Sequence, residues 1–188
     1  MIIRREAIEH ILKYINDESI IVSTTGMISR EIFSTKDRPS NFYMIGSMGL
    51  LSSLGLGLAL LNKDKHIYII EGDGSSLMSL GTLPLITYES PINLTHIILD
   101  NEAYESTGSQ KSISNKISIA NIAKACGYTN VTQINDKFTL DKYLKNLNEF
   151  NGPNFLNIKT SIEKNKNIPR INLSPTDITD RFKKYINE

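Results

Sequence analysis

The residues of this sequence best suited to chemistry are the Gly-Asp-Gly-Ser segment at 72–75 and Asn101, which comes 26 residues after Ser75. The segment directly follows an apolar run at 66–70, and Asn101 follows a second apolar run at 94–99. Both runs are typical of buried strands. An open α/β sheet binds ligands at the carboxyl ends of its strands. Carboxylate and amide oxygens at these two ends therefore predict a site for a divalent cation that holds a diphosphate.

The glycines of this segment have two interpretations. A Gly-Asp-Gly sequence by itself is typical of an ordinary tight turn. Between a strand and a helix, Gly72 and Gly74 also let the backbone approach a phosphate, and the helix start at Ser75 and Ser76 offers free N–H donors. Mg²⁺ takes about six oxygens, several of them from phosphates and water. Asp73, Asn101, a main-chain carbonyl and two diphosphate oxygens fill most of that shell.

Alternating strand and helix patterns predict an α/β fold with a doubly wound, mostly parallel sheet and helices on both faces. Glycines at 55 and 57 inside one helix predict close approach of another backbone. After residue 163 the chain is polar and ends in an amphipathic segment, 178–186, suited to packing on a neighbour. The predicted helices cover 3–15, 28–33, 50–61, 76–88, 117–125 and 140–150, and the predicted strands cover 19–23, 66–70, 94–99, 130–134 and 154–158.

Composition excludes several classes of protein. The 21 basic and 20 acidic side chains nearly cancel, which argues against a nucleic-acid or membrane-surface partner. No apolar run approaches the roughly 20 residues that span a bilayer, and no segment has the pattern of a secretory signal. The single cysteine, Cys126, excludes an internal disulfide framework and suits a reducing compartment. We therefore expect a cytoplasmic protein.

The spacing of the Gly-Asp-Gly segment and the closing asparagine resembles the diphosphate signature of thiamine diphosphate enzymes. The resemblance implies thiamine diphosphate and Mg²⁺ as cofactors, with Gly72, Asp73, Gly74 and Ser75 around the diphosphate. It also implies three metal ligands: Asp73, Asn101 and the main-chain oxygen of Ala103. One departure is Asp100, because the family often has two asparagines here. The metal ligand is normally the second of them, which leaves the assignment unchanged.

Two further segments resemble elements of the same family. The Gly46-Ser47-Met48 segment precedes a long apolar helix. The family precedent assigns the Gly46 carbonyl to the 4′-amino group of the aminopyrimidine and Met48 to the wedge that holds the cofactor bent. By itself Met48 has the simpler interpretation of a core methionine. Thr25 and Gly26 follow the first predicted strand, where related folds bind the terminal phosphate; a plain turn explains them equally well.

Most of the chain resembles the sulfopyruvate and phosphonopyruvate decarboxylases. The stretches 41–60 and 100–110 carry this resemblance, together with a tail pattern that includes Pro169, Arg170 and Pro175. It implies loss of CO₂ from a 2-oxoacid that has a sulfonate or a phosphonate on C3. Lys111 and Arg170 are candidate cations for that second anion. The residues do not separate the two substrates.

Thiamine diphosphate enzymes also need a glutamate on N1′ of the cofactor, supplied in this family by a separate pyrimidine-binding domain. Glu6, Glu9 and Glu18 lack the strand-end context of that residue, and 188 residues suffice for only one of the two domains. We therefore expect residues 1–188 to form one diphosphate-binding domain, with 163–188 as a C-terminal tail. Its partner in a hetero-oligomer would be a pyrimidine-binding α subunit that supplies the glutamate, so the catalytic residue of this chain stays unknown.

Other interpretations stay open. The chain has the features of a subunit from another thiamine enzyme, such as a split acetolactate synthase. A 2-oxoacid:ferredoxin oxidoreductase β subunit usually carries cysteine clusters, and one cysteine argues against it. A non-enzymatic nucleotide-binding module is the alternative outside enzymes. Among the remaining polar residues, His96 is predicted as a hydrogen-bonded core histidine. Glu102 and Glu105 are predicted as solvated loop acids, with the alternative that either of them lines the site.

Overall fold

The computed structural model describes residues 1–147, 150–162 and 168–187. Strands and helices alternate along most of the chain, as the sequence predicts. The strands are β1 Ile2–Ile3, β2 Ile20–Ser23, β3 Asn41–Tyr43, β4 Ile67–Gly72, β5 Leu94–Asp100, β6 Ala103–Tyr104, β7 Gln110–Lys111, β8 Asn130–Ile134 and β9 Asn154–Ser161. The helices are α1 Arg4–Tyr14, α2 Met27–Thr35, α3 Leu51–Leu61, α4 Asp73–Leu77, α5 Thr82–Glu89, α6 Ile119–Cys126, α7 Lys137–Lys145 and α8 Pro175–Ile186.

Seven of these strands form one parallel sheet, whose central order is β3-β2-β4-β5-β9. The far side of β9 pairs with β8 along its first half and with β1 at its end. The strand order reverses between β2 and β4, because β3 lies on one side of β2 and the later strands lie on the other. Ligands bind in the crevice at such a reversal. The β4–β5 register pairs Gly72 with Leu99, so the two predicted ligand segments leave neighbouring strands side by side.

Each central strand is buried on both faces. Alternate residues point to opposite sides, as strand geometry requires. On β4, Ile67 and Ile69 join a cluster with α3, α5 and α6, while Tyr68 and Ile70 join a cluster with α1, α2 and α7. Helices therefore cover both faces of a parallel sheet, and the predicted fold class is confirmed.

The structure corrects several predicted elements. The helix predicted at 76–88 is two helices, α4 and α5, and the first begins at Asp73. Short strands β1, β3, β6 and β7 escape prediction, because two or three residues carry no periodic signal. Helix α7 ends at Lys145, whereas the sequence predicts that it continues to residue 150. The prediction is therefore wrong at residues 146 and 147, and residues 148–149 lie outside the described residues.

The two helical glycines of α3 differ. A Cβ built on Gly55 would overlap Cγ1 of Ile69 on β4, so a neighbour does approach closely at this position, but it is a side chain and not the predicted backbone. A Cβ on Gly57 would meet nothing within 4 Å, and the same prediction is wrong there. Gly55 is therefore the glycine that lets α3 lie directly against the sheet.

The amphipathic C-terminal segment packs on its own chain. Helix α8 covers the edge strand β3, where the ring centroids of Phe182 and Phe42 are 5.2 Å apart. Both terminal nitrogens of Arg181 bind the Asp37 carboxylate at 2.7 Å. Helix α8 therefore protects a sheet edge. Among the described residues, the structure has no helix with the length and apolar character needed to cross a membrane.

Candidate functional site

A cleft opens at the carboxyl ends of the strands, where the strand order reverses. Segments that follow β2, β4 and β5 surround it, together with the first residue of α1. Its lining residues are Arg4, Thr24, Thr25, Met27, Ile28, Met48, Gly72, Asp73, Gly74, Ser75, Leu99, Asn101, Ala103, Tyr104, Glu105, Ser106 and Thr107.

Most of the predicted site residues meet in this cleft. Gly26 borders it, because a Cβ there would lie 3.9 Å from Cβ of Ser106. Gly46 and Ser47 line a neighbouring groove between β3 and α8 instead. The predicted residues that line the cleft itself are Thr25, Met48, Gly72, Asp73, Gly74, Ser75, Asn101 and Ala103.

Asp73 is the first residue of α4, and its side chain is buried. Its Oδ2 accepts hydrogen bonds from the hydroxyls of Ser112 and Ser114, the second at 3.0 Å. Burial raises the pKa of the Asp73 carboxyl; the two hydroxyls oppose this shift, and the nearby Asp100 charge adds to it. A cation at this carboxylate would relieve both the burial cost and the repulsion.

Asp100, the departure from the two-asparagine pattern, is balanced by a cation. Its Oδ2 lies 2.7 Å from Nζ of Lys159 at the end of β9, and its Oδ1 accepts the Ser114 hydroxyl at 2.9 Å. Lys159 also donates to Glu102 at 2.9 Å. Burial lowers the pKa of Lys159, but its bonds to the two carboxylates outweigh this and raise it. Ser114 thus lies between Asp73 and Asp100 and shares its single hydroxyl proton between them, while Lys159 carries the compensating charge.

Asn101 is oriented by its neighbours. Its Oδ1 accepts the N–H of Ala103 at 3.0 Å, and its Nδ2 donates to Oε2 of Glu105 at 3.3 Å. Glu105 in turn binds the buried guanidinium of Arg4, whose Nε and Nη2 donate to Glu31 at 2.8 Å each. The Glu105 side chain is only 18% exposed and lines the cleft, so of its two predicted roles the second, a residue of the site lining, is the correct one. Glu102, at 42%, is more exposed, as predicted.

Gly74 joins the two halves of the cleft. A Cβ at this position would lie 2.5 Å from Cε1 of Tyr104 and 3.4 Å from Cε of Met48. Only glycine lets the Tyr104 ring lie against the turn. Met48 is 38% exposed, so its side chain faces the cleft rather than the core.

The charge of the cleft restricts what it can bind. Within its described lining the charged side chains are Arg4, Asp73 and Glu105, and Arg4 is already held by Glu31 and Glu105. A diphosphate would therefore have to bring its own cation. No group of three or more His, Cys, Asp or Glu side chains in the described ranges can hold a metal by itself. One carboxylate with amide and carbonyl oxygens fits a Mg²⁺ whose remaining ligands are phosphate and water.

Sequence reasoning missed several residues around the cleft. Arg4 reaches it from the other end of the sequence, about 100 positions from Glu105, and no local pattern signals such a contact. Ser112 and Ser114 look like ordinary loop serines. The proposed substrate cations Lys111 and Arg170 lie outside the described lining of the cleft. Lys164 and Lys166, in the polar part of the chain after residue 163, look like solvent-facing charges in the sequence, and they fall outside the described residues.

Comparisons with known proteins agree with this geometry. The family model for the thiamine pyrophosphate enzyme, C-terminal TPP binding domain, matches residues 22–158. The chain is 40% identical over 185 residues to the sulfopyruvate decarboxylase subunit beta of Methanococcus maripaludis, a match that covers 98% of both chains. It is 34% identical to the phosphonopyruvate decarboxylase of Streptomyces hygroscopicus, covering 98% of this chain but 46% of that longer protein.

A solved structure shares the fold. The thiamine diphosphate-dependent 4-hydroxybenzoylformate decarboxylase of Rhodococcus jostii RHA1 superposes with a TM-score of 0.71 at 17% identity. The match covers 87% of this chain and 33% of that one. This likeness establishes the architecture, and the closer sequence relatives establish the family.

Proposed function

This chain belongs to the thiamine pyrophosphate enzymes, and we propose that it is the β subunit of a carboxy-lyase that removes CO₂ from 3-sulfopyruvate. The match of 98% of both chains to a sulfopyruvate decarboxylase subunit beta is the observation that carries this proposal. The Streptomyces relative gives 3-phosphonopyruvate as the second candidate substrate, at lower identity and with a protein about twice as long.

The cofactor residues follow from the cleft. When bound, thiamine diphosphate supplies an electron sink for the electron pair left as the carbon–CO₂ bond breaks. We assign Mg²⁺ to Asp73, Asn101 and the main-chain oxygen of Ala103. The negative lining supports this assignment, because a diphosphate needs a cation there. The backbone at Gly72, Gly74 and Ser75 then contacts the diphosphate.

The remaining assignments concern the rest of the cofactor. Met48 lies beside Gly74 at the cleft and suits the wedge that bends it. The Gly46 carbonyl and Ser47 lie on the adjoining groove, where the aminopyrimidine would extend. Thr25 and Gly26 would hold the terminal phosphate from the other side. With these assignments, the chain would anchor and orient the cofactor.

A partner subunit is the other part of the proposal. Glu105 is the glutamate of the described cleft lining, and Arg4 already binds it, so the glutamate that activates the cofactor would come from a pyrimidine-binding α subunit. Three apolar side chains near the cleft, Ile45, Leu50 and Met78, are each more than half exposed. A partner that covers this rim would bury them. We assign 1–188 to one diphosphate-binding domain with 163–188 as its tail, in a cytoplasmic hetero-oligomer.

The test is a reconstitution. The chain is produced with its α subunit and supplied with thiamine diphosphate, Mg²⁺ and each substrate in turn, and CO₂ release is measured. We expect release that needs both subunits and is faster with 3-sulfopyruvate. Faster release from 3-phosphonopyruvate would reassign the substrate, and full turnover by this chain alone would exclude the partner. Binding of ATP in preference to thiamine diphosphate would favour a nucleotide-binding module instead.

A further inference from the structure

A fully buried acid–base pair lies beneath the cleft. Glu71, near the end of β4, and His96, on β5, are both 0% exposed, with His96 Nε2 at 2.7 Å from Glu71 Oε1. The other ring nitrogen of His96 lies 3.2 Å from the hydroxyl of Tyr128. The predicted core position of His96 is thus confirmed. Burying ionisable groups inside a sheet costs free energy unless their polar atoms are hydrogen-bonded. The contacts of Glu71 and His96 provide these hydrogen bonds.

The pair fixes the direction of a hydrogen-bond network. The second carboxylate oxygen of Glu71 accepts the Ser75 hydroxyl at 2.5 Å. Ser75 is the donor in this bond, so its single hydroxyl proton is committed to Glu71. The lone pairs of Ser75 Oγ are then left to accept the N–H of Gly49 at 3.2 Å and the hydroxyl of Thr24 at 3.3 Å.

Ser75 therefore joins three separate segments of the chain. Thr24 precedes the loop that holds Thr25 and Gly26, Gly49 ends the segment that holds Met48, and Ser75 lies in the turn that holds Asp73. These are three of the segments assigned above to the cofactor. Glu71 and His96 lie outside the cleft lining, and the Glu71 side chain is linked to it through its hydrogen bond with Ser75.

We propose that Glu71 and His96 are positioning residues that set the spacing of the three cofactor-binding segments through Ser75. This inference rests on the proposed function, because it presumes that the three segments hold thiamine diphosphate. His96 donates from Nε2 and keeps the Glu71 carboxylate in place. Glu71 then fixes the Ser75 hydroxyl, and Ser75 holds the loops that begin at Thr24 and end at Gly49.

The test compares Glu71→Gln, Ser75→Ala and the double variant, each assembled with its α subunit. The amide that replaces the Glu71 carboxylate cannot accept from both Ser75 and His96 as the carboxylate does. We expect each single change to weaken thiamine diphosphate binding at saturating Mg²⁺ by about 10- to 100-fold, as for residues that support metal ligands. Because both act through one network, the double variant should bind no more weakly than Ser75→Ala. Calorimetric titration measures the affinities.

A second readout separates positioning from general stability. Hydrogen exchange at the Gly49 amide should speed up in Glu71→Gln and in Ser75→Ala, because both lose or reorient the acceptor of that N–H. His66→Gln is the matched control: His66 Nε2 also bonds a neighbouring strand, at 2.9 Å from Thr95 Oγ1, but outside the cleft lining. This variant should leave cofactor affinity and Gly49 exchange unchanged.

The outcomes distinguish this inference from the proposed function. Wild type that fails to bind thiamine diphosphate with Mg²⁺ would overturn the proposed function and this inference with it. Wild type that binds, with additive or absent effects of the two changes, would overturn only the positioning role. If Glu71→Gln does not fold, Ser75→Ala alone still decides the matter, because unchanged affinity and unchanged Gly49 exchange in that variant contradict the proposal.

Discussion

The two halves of the proposed Mg²⁺ site, the segment after β4 and the loop after β5, are built differently. The turn after β4 is part of the core: Asp73, Gly74 and Ser75 are buried, and hydroxyls and a carboxylate from several segments bind them. The loop after β5 is half-buried from Asn101 to Glu105 and exposed from Ser106 to Lys111. Three of its residues have positive φ, namely Glu102, Gly108 and Ser109.

The loop depends on distant partners instead of a core. Lys159 at the end of β9 holds Glu102, and Arg4 at the start of α1 holds Glu105. Its own regular structure is the two-residue pairing of β6 with β7 and one 3-10 turn at Glu105–Thr107. We infer that the turn is set before any ligand arrives, whereas the loop takes its final geometry from ion pairs and from the metal. Changes in the turn should therefore cost more cofactor affinity than changes in the loop.

The largest expected effect is at the turn. Asp73→Asn removes the only carboxylate assigned to Mg²⁺, so cofactor affinity should fall by more than about 100-fold, beyond the range for residues that only support a ligand. Titration of thiamine diphosphate with Mg²⁺ measures this. Retention of near-wild-type affinity would place the metal elsewhere.

Without the metal, we expect Asp73→Asn to affect the stability of the fold, and in the favourable direction. Burial raises the pKa of Asp73 in the folded protein, so its ionised form works against folding as the pH rises through that folded pKa. Metal-free Asp73→Asn should be at least as stable as wild type at neutral pH. The difference should vanish at low pH, where Asp73 is protonated in both the folded and the unfolded state. Thermal unfolding across pH checks the sign.

The next effect concerns the support of the loop. Lys159→Met leaves the buried Asp100 carboxylate without its cation, which should lower the free energy of unfolding by about 2 kcal/mol. Adding Asp100→Asn, the residue usual at this position in the resembling family, removes the stranded charge and should restore most of the loss. Chemical denaturation of the single and double variants measures it. No recovery in the double variant would show that Lys159 acts through Glu102 instead.

A third change tests the contact between turn and loop. Gly74→Ala places a methyl group 2.5 Å from the Tyr104 ring, so the ring must move and the loop with it. Overpacking of this kind costs about 1–2 kcal/mol, and cofactor affinity should fall by about tenfold. Gly57→Ala, where the new methyl meets open space, is the matched control. Adding Tyr104→Ala to Gly74→Ala should recover stability if the clash is the cause.

The turn is also the more predictable half. Gly72, Asp73 and Gly74 follow one strand directly, so local sequence places them at the sheet edge. The β4–β5 pairing then brings Asn101 to the neighbouring strand end, as alternation of strands and helices predicts. The reversal of strand order beside β2 gives the cleft. Local patterns suffice when a residue is adjacent to a strong strand.

The loop is less predictable, because its geometry depends on contacts between residues far apart in sequence. Asp100 looks like a simple departure from a motif in the sequence, and only the fold brings Lys159 beside it. Glu105 looks like a solvated acid, and its partner Arg4 is about 100 positions away. The prediction of one helix at 76–88 fails for a different, local reason: Gly81 immediately precedes α5 and Pro84 lies in its first turn, and both residue types disfavour a helix interior.

The smallest expected effect isolates one hydrogen bond of the loop. Glu105 can only accept, so it obliges the Asn101 amide to present Nδ2 to it and leaves Oδ1 for the metal. In Glu105→Gln the new amide can accept or donate, so the orientation of Asn101 is no longer enforced. Mg²⁺ affinity should fall about fivefold, or about 1 kcal/mol, in the range of a single hydrogen bond.

Glu102→Gln is the control that makes this result interpretable. It removes the same charge from the same loop, but Glu102 bonds Lys159 rather than Asn101. A charge effect would weaken Mg²⁺ binding equally in both variants, whereas an effect on the amide would appear only at Glu105. Titration of Mg²⁺ at fixed thiamine diphosphate compares them. Equal losses of Mg²⁺ affinity would mean that the loop contributes negative charge rather than a ligand of fixed orientation. The loop after β5 would then differ from the segment after β4 even more than their hydrogen bonds suggest.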